Sequence, residues 1–150
     1  MSSAPFSRQL RIRFSHSDPA GIVYYPNYFD MFNGLIEDWF SDGLGIDYAK
    51  QIVVHRLGLP TVHAACDFFI PSRMGDLLSM TLLVRDVGRS SLKLTIHGHV
   101  GAEERLRADL VVVLISLDTN KSTPIPDKLR SRFVDYKAAH AGWTVEAAAV

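Results

Sequence analysis

The chain begins with a period of two and then changes to a period near three and a half. In RQLRIRF, Leu10, Ile12 and Phe14 share one face while Gln9, Arg11 and Arg13 share the other, as in a half-buried strand. From Pro26 onward Tyr28/Phe29, Phe32, Leu35/Ile36 and Trp39/Phe40 recur at three and four residues, which predicts a helix. Pro26 suits its first turn, where a missing N–H costs nothing, and Gly43 and Gly45 are natural stops. Apolar side chains cover most of this helix's girth, so other elements are expected to wrap it. An irregular stretch containing HRLGLPT follows, and then four strand-like runs at about Val62–Ile70, Leu77–Asp86, Ser91–Val100 and Arg107–Asp118. The turns between them, Pro71–Gly75, Gly88–Ser90 and Gly101–Glu104, are short and favour antiparallel neighbours. A Pro-led short helix is expected from about Asp127, and GWTVEAAAV reads as a weakly anchored tail.

One strand, one greasy helix and four antiparallel strands make an α+β layout. The economical packing is a curved antiparallel sheet of about five strands around one long central helix. No repeat or boundary divides the 150 residues, so a single domain is expected, with its core over about 8–135 and a tail after about 140. The run LVVVLISL is nearly continuous in apolar residues, so both its faces should be covered. With one helix to hand, a second subunit is the expected cover, which predicts a dimer on burial grounds.

Composition narrows the function classes. The chain is 47% apolar and 21% charged, as in an ordinary globular domain. Sixteen basic residues balance sixteen acidic ones, and no basic stripe interleaves the aromatics, so neither nucleic acid nor an anionic membrane is an expected partner. The longest apolar run is far too short to span a bilayer, and MSSAPFSRQL lacks the apolar core of a signal peptide. The single cysteine, Cys66, lies in an apolar run and reads as a buried structural thiol. A soluble, cytoplasmic protein is the expectation.

The candidate chemistry centres on SDPAGIVYYPNY, residues 17–28. Asp18 stands on a Pro/Gly turn just before the helix. The first N–H groups of a helix have no intrahelical partner, and its dipole makes that end positive. Such an end polarises a carbonyl and stabilises the oxyanion formed on attack. Pro26 has no N–H to give, so Tyr25 or a neighbour must supply it. One acid and one amide suit an activated acyl group such as a thioester. Glu37 and Asp38 lie deeper in the helix and read as solvated acids. His97 and His99, two apart, share a strand face; without a third ligand they read as an exposed pair rather than a metal site. Sequence motifs for serine hydrolases, P-loops, dinucleotide binding and zinc proteases are missing.

The run SDPAGIVYYPNYFD resembles the signature of the 4-hydroxybenzoyl-CoA thioesterase family, hotdog-fold enzymes that hydrolyse acyl-CoA thioesters. The match runs from Asp18 through Pro19, Ala20, Gly21, Ile22 and Val23 to Tyr25, Pro26, Asn27 and Tyr28, and the order of elements also fits. The resemblance implies that Asp18 is the catalytic carboxylate and that the Tyr25 N–H polarises the thioester carbonyl. It places Thr61, Val62 and His63 against the acyl group, and Arg89, Ser90 and Ser91, in VGRSSLKL, at the CoA phosphates. A lone guanidinium there would need help from Arg73 or Lys93. It further implies active sites between subunits of a homodimer or homotetramer, with no metal or cofactor beyond the CoA of the substrate. Two rivals remain at this point. A hotdog enoyl-CoA hydratase or dehydratase would use a histidine, for which His16 is the candidate; a non-catalytic acyl-CoA binding module would use neither.

Overall fold

The computed structural model describes residues 4–149. Five antiparallel strands form one sheet in the order β1-β4-β5-β6-β3: β1 is Ser7–Arg11, β3 Thr61–Phe68, β4 Leu77–Val87, β5 Ser91–Val100 and β6 Glu103–Val113. The helix α1 (Pro26–Asp38) lies on one face and runs straight into a π turn over Trp39–Gly43. Alternation decides the contact. Leu78, Met80, Leu82 and Val84 of β4, Leu92, Leu94 and Ile96 of β5, and Leu106, Ala108, Leu110 and Val112 of β6 point to that face. They bury against Phe32, Leu35, Ile36, Trp39 and Phe40 of the helical segment. Burying one such side chain fully is worth about 1.5–3 kcal/mol, so this layer carries the fold. The opposite stripe of α1, with Asp30, Asn33, Glu37 and Asp38, stays exposed.

Several expectations are corrected. Phe14 does not continue the strand stripe of Leu10 and Ile12; it sits in a 3-10 turn (Phe14–His16) and is 82% exposed. The irregular stretch holds a short helix α2 (Tyr48–Val53), started by Asp47, whose carboxylate accepts the Lys50 N–H at 3.0 Å. It also holds a two-residue strand β2 (Leu57–Gly58) that pairs with β7 (Ile115–Ser116). The run read as one strand over Arg107–Asp118 is therefore β6, beginning four residues earlier, then a break at Leu114 and β7. Its far face is not closed off within the chain, since Val111 and Val113 are half-buried.

The closing helix is not short. α3 spans Asp127–Ala139 and stacks Phe133 on Trp39 with centroids 5.6 Å apart. Its Tyr136 hydroxyl accepts the Phe6 N–H at 2.7 Å and donates to the Leu82 carbonyl at 2.6 Å, extending the β1–β4 ladder. Burial there pushes the phenol up to about 12. Nor is the C-terminal segment loose. Trp143 lies 5.7 Å from both the His97 and His99 rings, and Val145 is buried. These residues cover the part of the sheet face opposite α1 that carries His97 and His99.

Candidate active site

The Asp18 turn is a small ladder. Ser17 and Val23 form an antiparallel bridge, the Asp18 N–H donates to Ile22 O at 3.0 Å, and Gly21 N–H donates to Asp18 O at 2.9 Å. Gly21 adopts φ +80°, a conformation that an L side chain resists, which is why a glycine stands there. The Asp18 carboxylate accepts the Ala20 N–H on Oδ1 at 2.8 Å. No partner among the described residues takes Oδ2, and the side chain is half-buried. One oxygen orients the group while the other stays available for chemistry.

The helix start beside it leaves one donor over. Pro26 has no N–H, Asn27 N–H donates to Tyr24 O at 2.9 Å, and Tyr28 N–H donates to Tyr25 O at 3.1 Å. Tyr24 N–H is taken by His16 O at 2.9 Å. The Tyr25 N–H is the amide of this turn without a partner among the described residues. Asn27 explains its own place in the motif: its side-chain amide donates to His16 O at 2.9 Å and ties the helix start to the preceding turn. His16 is itself committed, since its Nδ1 accepts the Arg13 N–H at 2.9 Å.

Next to this pair lies a cleft of about 290 Å³ lined by Ile22, Val23, Tyr25, Tyr28 and the run Phe68–Pro71. Phe68 meets Tyr25 edge-on at 6.2 Å and Tyr28 at 5.8 Å. Tyr28 was legible in the helix stripe and at the end of the Asp18 motif, and Phe68, Phe69 and Ile70 only as a strand end. The available signal was the pile-up of large apolar residues in DFFIP, at 40–50% exposure for these three.

The other predicted residues are not gathered here. Thr61, Val62 and His63 begin β3, and Thr61 lines a different cleft of about 460 Å³ with Asn33, Glu37 and Tyr48. At ~3.3 Å per residue, the Thr61 and Phe68 ends of β3 are roughly 23 Å apart. Arg89 and Ser90 lie in the β4–β5 turn and Ser91 opens β5, roughly 33 Å along β4 from its Leu77 end on the same spacing. That turn is pinned by Arg130, which donates to Gly88 O at 2.8 Å, and by Ile125 N–H to Arg89 O at 2.9 Å. The Arg89 side chain is exposed, and the Ser90 hydroxyl is buried without a partner among the described residues. Within one chain Arg73 is far from Arg89, because it bridges Ile22 at the Asp18 end. Lys93 sits on β5 opposite Asp86.

Glu37 and Asp38 are exposed, and Asp38 lies 3.6 Å from Arg8. His97 and His99 are buried rather than exposed: His97 bonds Glu104 at 2.7 Å and His99 bonds Thr81 at 2.8 Å. Among the described residues no cluster of three or more potential metal ligands occurs. Cys66 is half-buried rather than buried, and desolvation, with Asp67 and Asp109 nearby, pushes its thiol up to about 11. That makes it a poor nucleophile near neutrality. No helix among the described residues is long and apolar enough to cross a membrane.

Residues 12–133 match the model of the thioesterase-like superfamily. The chain belongs to that superfamily. It is 28% identical over 132 residues to the 1,4-dihydroxy-2-naphthoyl-CoA hydrolase of Synechocystis sp., covering 87% of this chain and 95% of that one. It is 32% identical over 85 residues to the 4-hydroxybenzoyl-CoA thioesterase of a Pseudomonas species, covering 55% of this chain and 60% of that one. The crystal structure of a 1,4-dihydroxy-2-naphthoyl-CoA thioesterase from Synechocystis superposes with a TM-score of 0.76 at 27% identity, covering 88% of this chain and 97% of that chain. The sheet and the helix it holds are the hotdog fold.

Proposed function

We propose that the protein hydrolyses the thioester of an aromatic acyl-CoA, with Asp18 as catalytic carboxylate and the Tyr25 N–H as oxyanion donor. The observation that carries this reading is the half-free carboxylate and the unpartnered helix-end amide beside an aromatic cleft. Thioester hydrolysis is the activity class of the superfamily, and the named relatives act on hydroxylated aryl-CoA thioesters. The carbonyl oxygen accepts the Tyr25 N–H, and the positive helix end stabilises the charge that develops there. Asp18 either attacks the carbonyl carbon or takes the proton of a water that does. The C–S bond breaks, the CoA sulfur takes a proton, and the oxygen of water ends on the aryl carboxylate.

The complete site is proposed to need two copies of the chain. β3 is an edge strand with seven of its eight residues exposed, Val62 at 61% and Phe68 at 49% among them. Such an edge invites pairing. If β3 pairs antiparallel with its copy, Thr61, Val62 and His63 of one chain come beside the Phe68 end of the other. The Arg89 turn then serves the other chain's CoA. The commitment of His16 to the Arg13 amide weighs against a hydratase. The test is thiol release from a panel of benzoyl, hydroxybenzoyl, naphthoyl and short aliphatic CoA thioesters. Hydrolysis by the wild type that Asp18→Asn abolishes is expected; equal turnover by the variant would refute the mechanism.

A further inference from the structure

One wall of the aromatic cleft, Phe69 to Pro71, belongs to no strand, and one residue of β6 holds it. The Arg105 carbonyl accepts the Phe69 N–H at 2.9 Å and the Ile70 N–H at 3.2 Å. Its guanidinium, on a side chain only 13% exposed, reaches the same segment. Nη1 donates to Pro71 O at 3.4 Å, to the Ser72 hydroxyl at 3.2 Å and to Asp76 Oδ2 at 3.1 Å. Nε donates to Glu103 at 2.7 Å. Beyond Arg105 the chain of contacts continues into the opposite wall. Ser72 is fully buried, lies beside the Tyr28 phenol, and gives its carbonyl to the Val23 N–H at 2.9 Å.

A guanidinium so far out of water is tolerated only where its donors find acceptors. Here three of the acceptors, on Pro71, Ser72 and Asp76, lie on the segment between β3 and β4 that borders the cleft, and the fourth is Glu103 of β6. Asp76 is kept below the usual carboxylate range by the Arg73 N–H and by Arg105, so it stays charged opposite the guanidinium. We infer that Arg105 is a positioning residue for the acyl cleft. Through Pro71, Ser72 and Tyr28 it sets the separation of the walls, and so which acyl groups the enzyme accepts, without touching them. The inference rests on the thioesterase reading given above.

The experiment compares benzoyl-CoA with butyryl-CoA, whose small acyl chain makes less use of the cleft. In Arg105→Met, kcat/KM for benzoyl-CoA should fall roughly tenfold to a hundredfold while butyryl-CoA changes less than about threefold, since sub-ångström misplacement penalises the close-fitting substrate most. A merely structural role would lower both rates together and leave their ratio unmoved, whatever the melting temperature does. Arg105→Lys keeps the charge but loses the planar fork, so the preference should not return. Ser72→Ala leaves the Asp76 and Glu103 pairs intact, should fold if Arg105→Met does not, and should shift the ratio the same way by less. An unchanged ratio in both Arg105→Met and Ser72→Ala overturns the inference while wild-type turnover keeps the thioesterase reading standing. A wild type inert toward every acyl-CoA overturns that reading, and this inference with it.

Discussion

The two turns at opposite ends of β4 are built differently. At the Leu77 end, the Asp18 turn is bridged to its neighbours, sets one carboxylate oxygen by its own backbone and borders an aromatic cleft. At the Val87 end, the Arg89 turn is held from beneath by Arg130 and leaves its own guanidinium in solvent. Reaction chemistry needs a group fixed to within a fraction of an ångström, whereas recognition of a solvated phosphate needs charge and reach. Lying roughly 33 Å apart along one strand, they would serve one substrate, under the proposed reading, only from two chains. The difference teaches that the exposed edge β3 belongs to the functional argument, because pairing it would bring the unlike ends of two chains together.

The largest expected effect comes from removing the fixed group. Asp18→Asn should lower kcat on the order of a thousandfold with an unchanged melting curve, checked by thiol release on folded protein. Next, Ala65→Asp near the middle of β3 sets like charges against each other across a paired edge. It should yield monomers by analytical ultracentrifugation and cost at least about tenfold in turnover. A monomer with full activity would end the two-chain reading of the turns. Arg89→Ala should raise KM roughly tenfold, the worth of one charge-assisted contact, with kcat nearly untouched. Mixing Asp18→Asn with Arg89→Ala should restore turnover at low substrate, since a hybrid dimer then contains one intact site.

The smallest effect lies away from both turns. Burial holds the His99 pKa below its ordinary value of 6.5, so the folded protein resists its protonation. That contribution is complete above the unfolded pKa and is lost as pH falls through it toward the folded value. Thermal melts should therefore decline by a few degrees below about pH 6.5, and His99→Gln should flatten this decline without altering turnover.

The sequence by itself determined the elements whose neighbours in space are also neighbours in the chain. The helix from Pro26, the β4–β5 hairpin and the Asp18 turn are all local, and their residues carry period, Pro and Gly signals that need no partner. The boundaries that differ have two origins. β6 starts early because Glu103 and Glu104 pair with Val100 and His99 across the Gly101 turn, whereas the chain breaks at Leu114 because the distant Leu57–Gly58 takes the next two residues. The C-terminal segment looked loose because nothing in GWTVEAAAV announces that Trp143 will cover two histidines 44 and 46 positions earlier. The site divided the same way. Asp18 and Tyr25 were legible as candidates because they stand only seven positions apart in the chain. The cleft wall at Phe69–Pro71, and the buried Arg105 that holds it from another strand, became visible only once the sheet had folded. A cavity is a relation between surfaces, and no stretch of chain contains both of its sides.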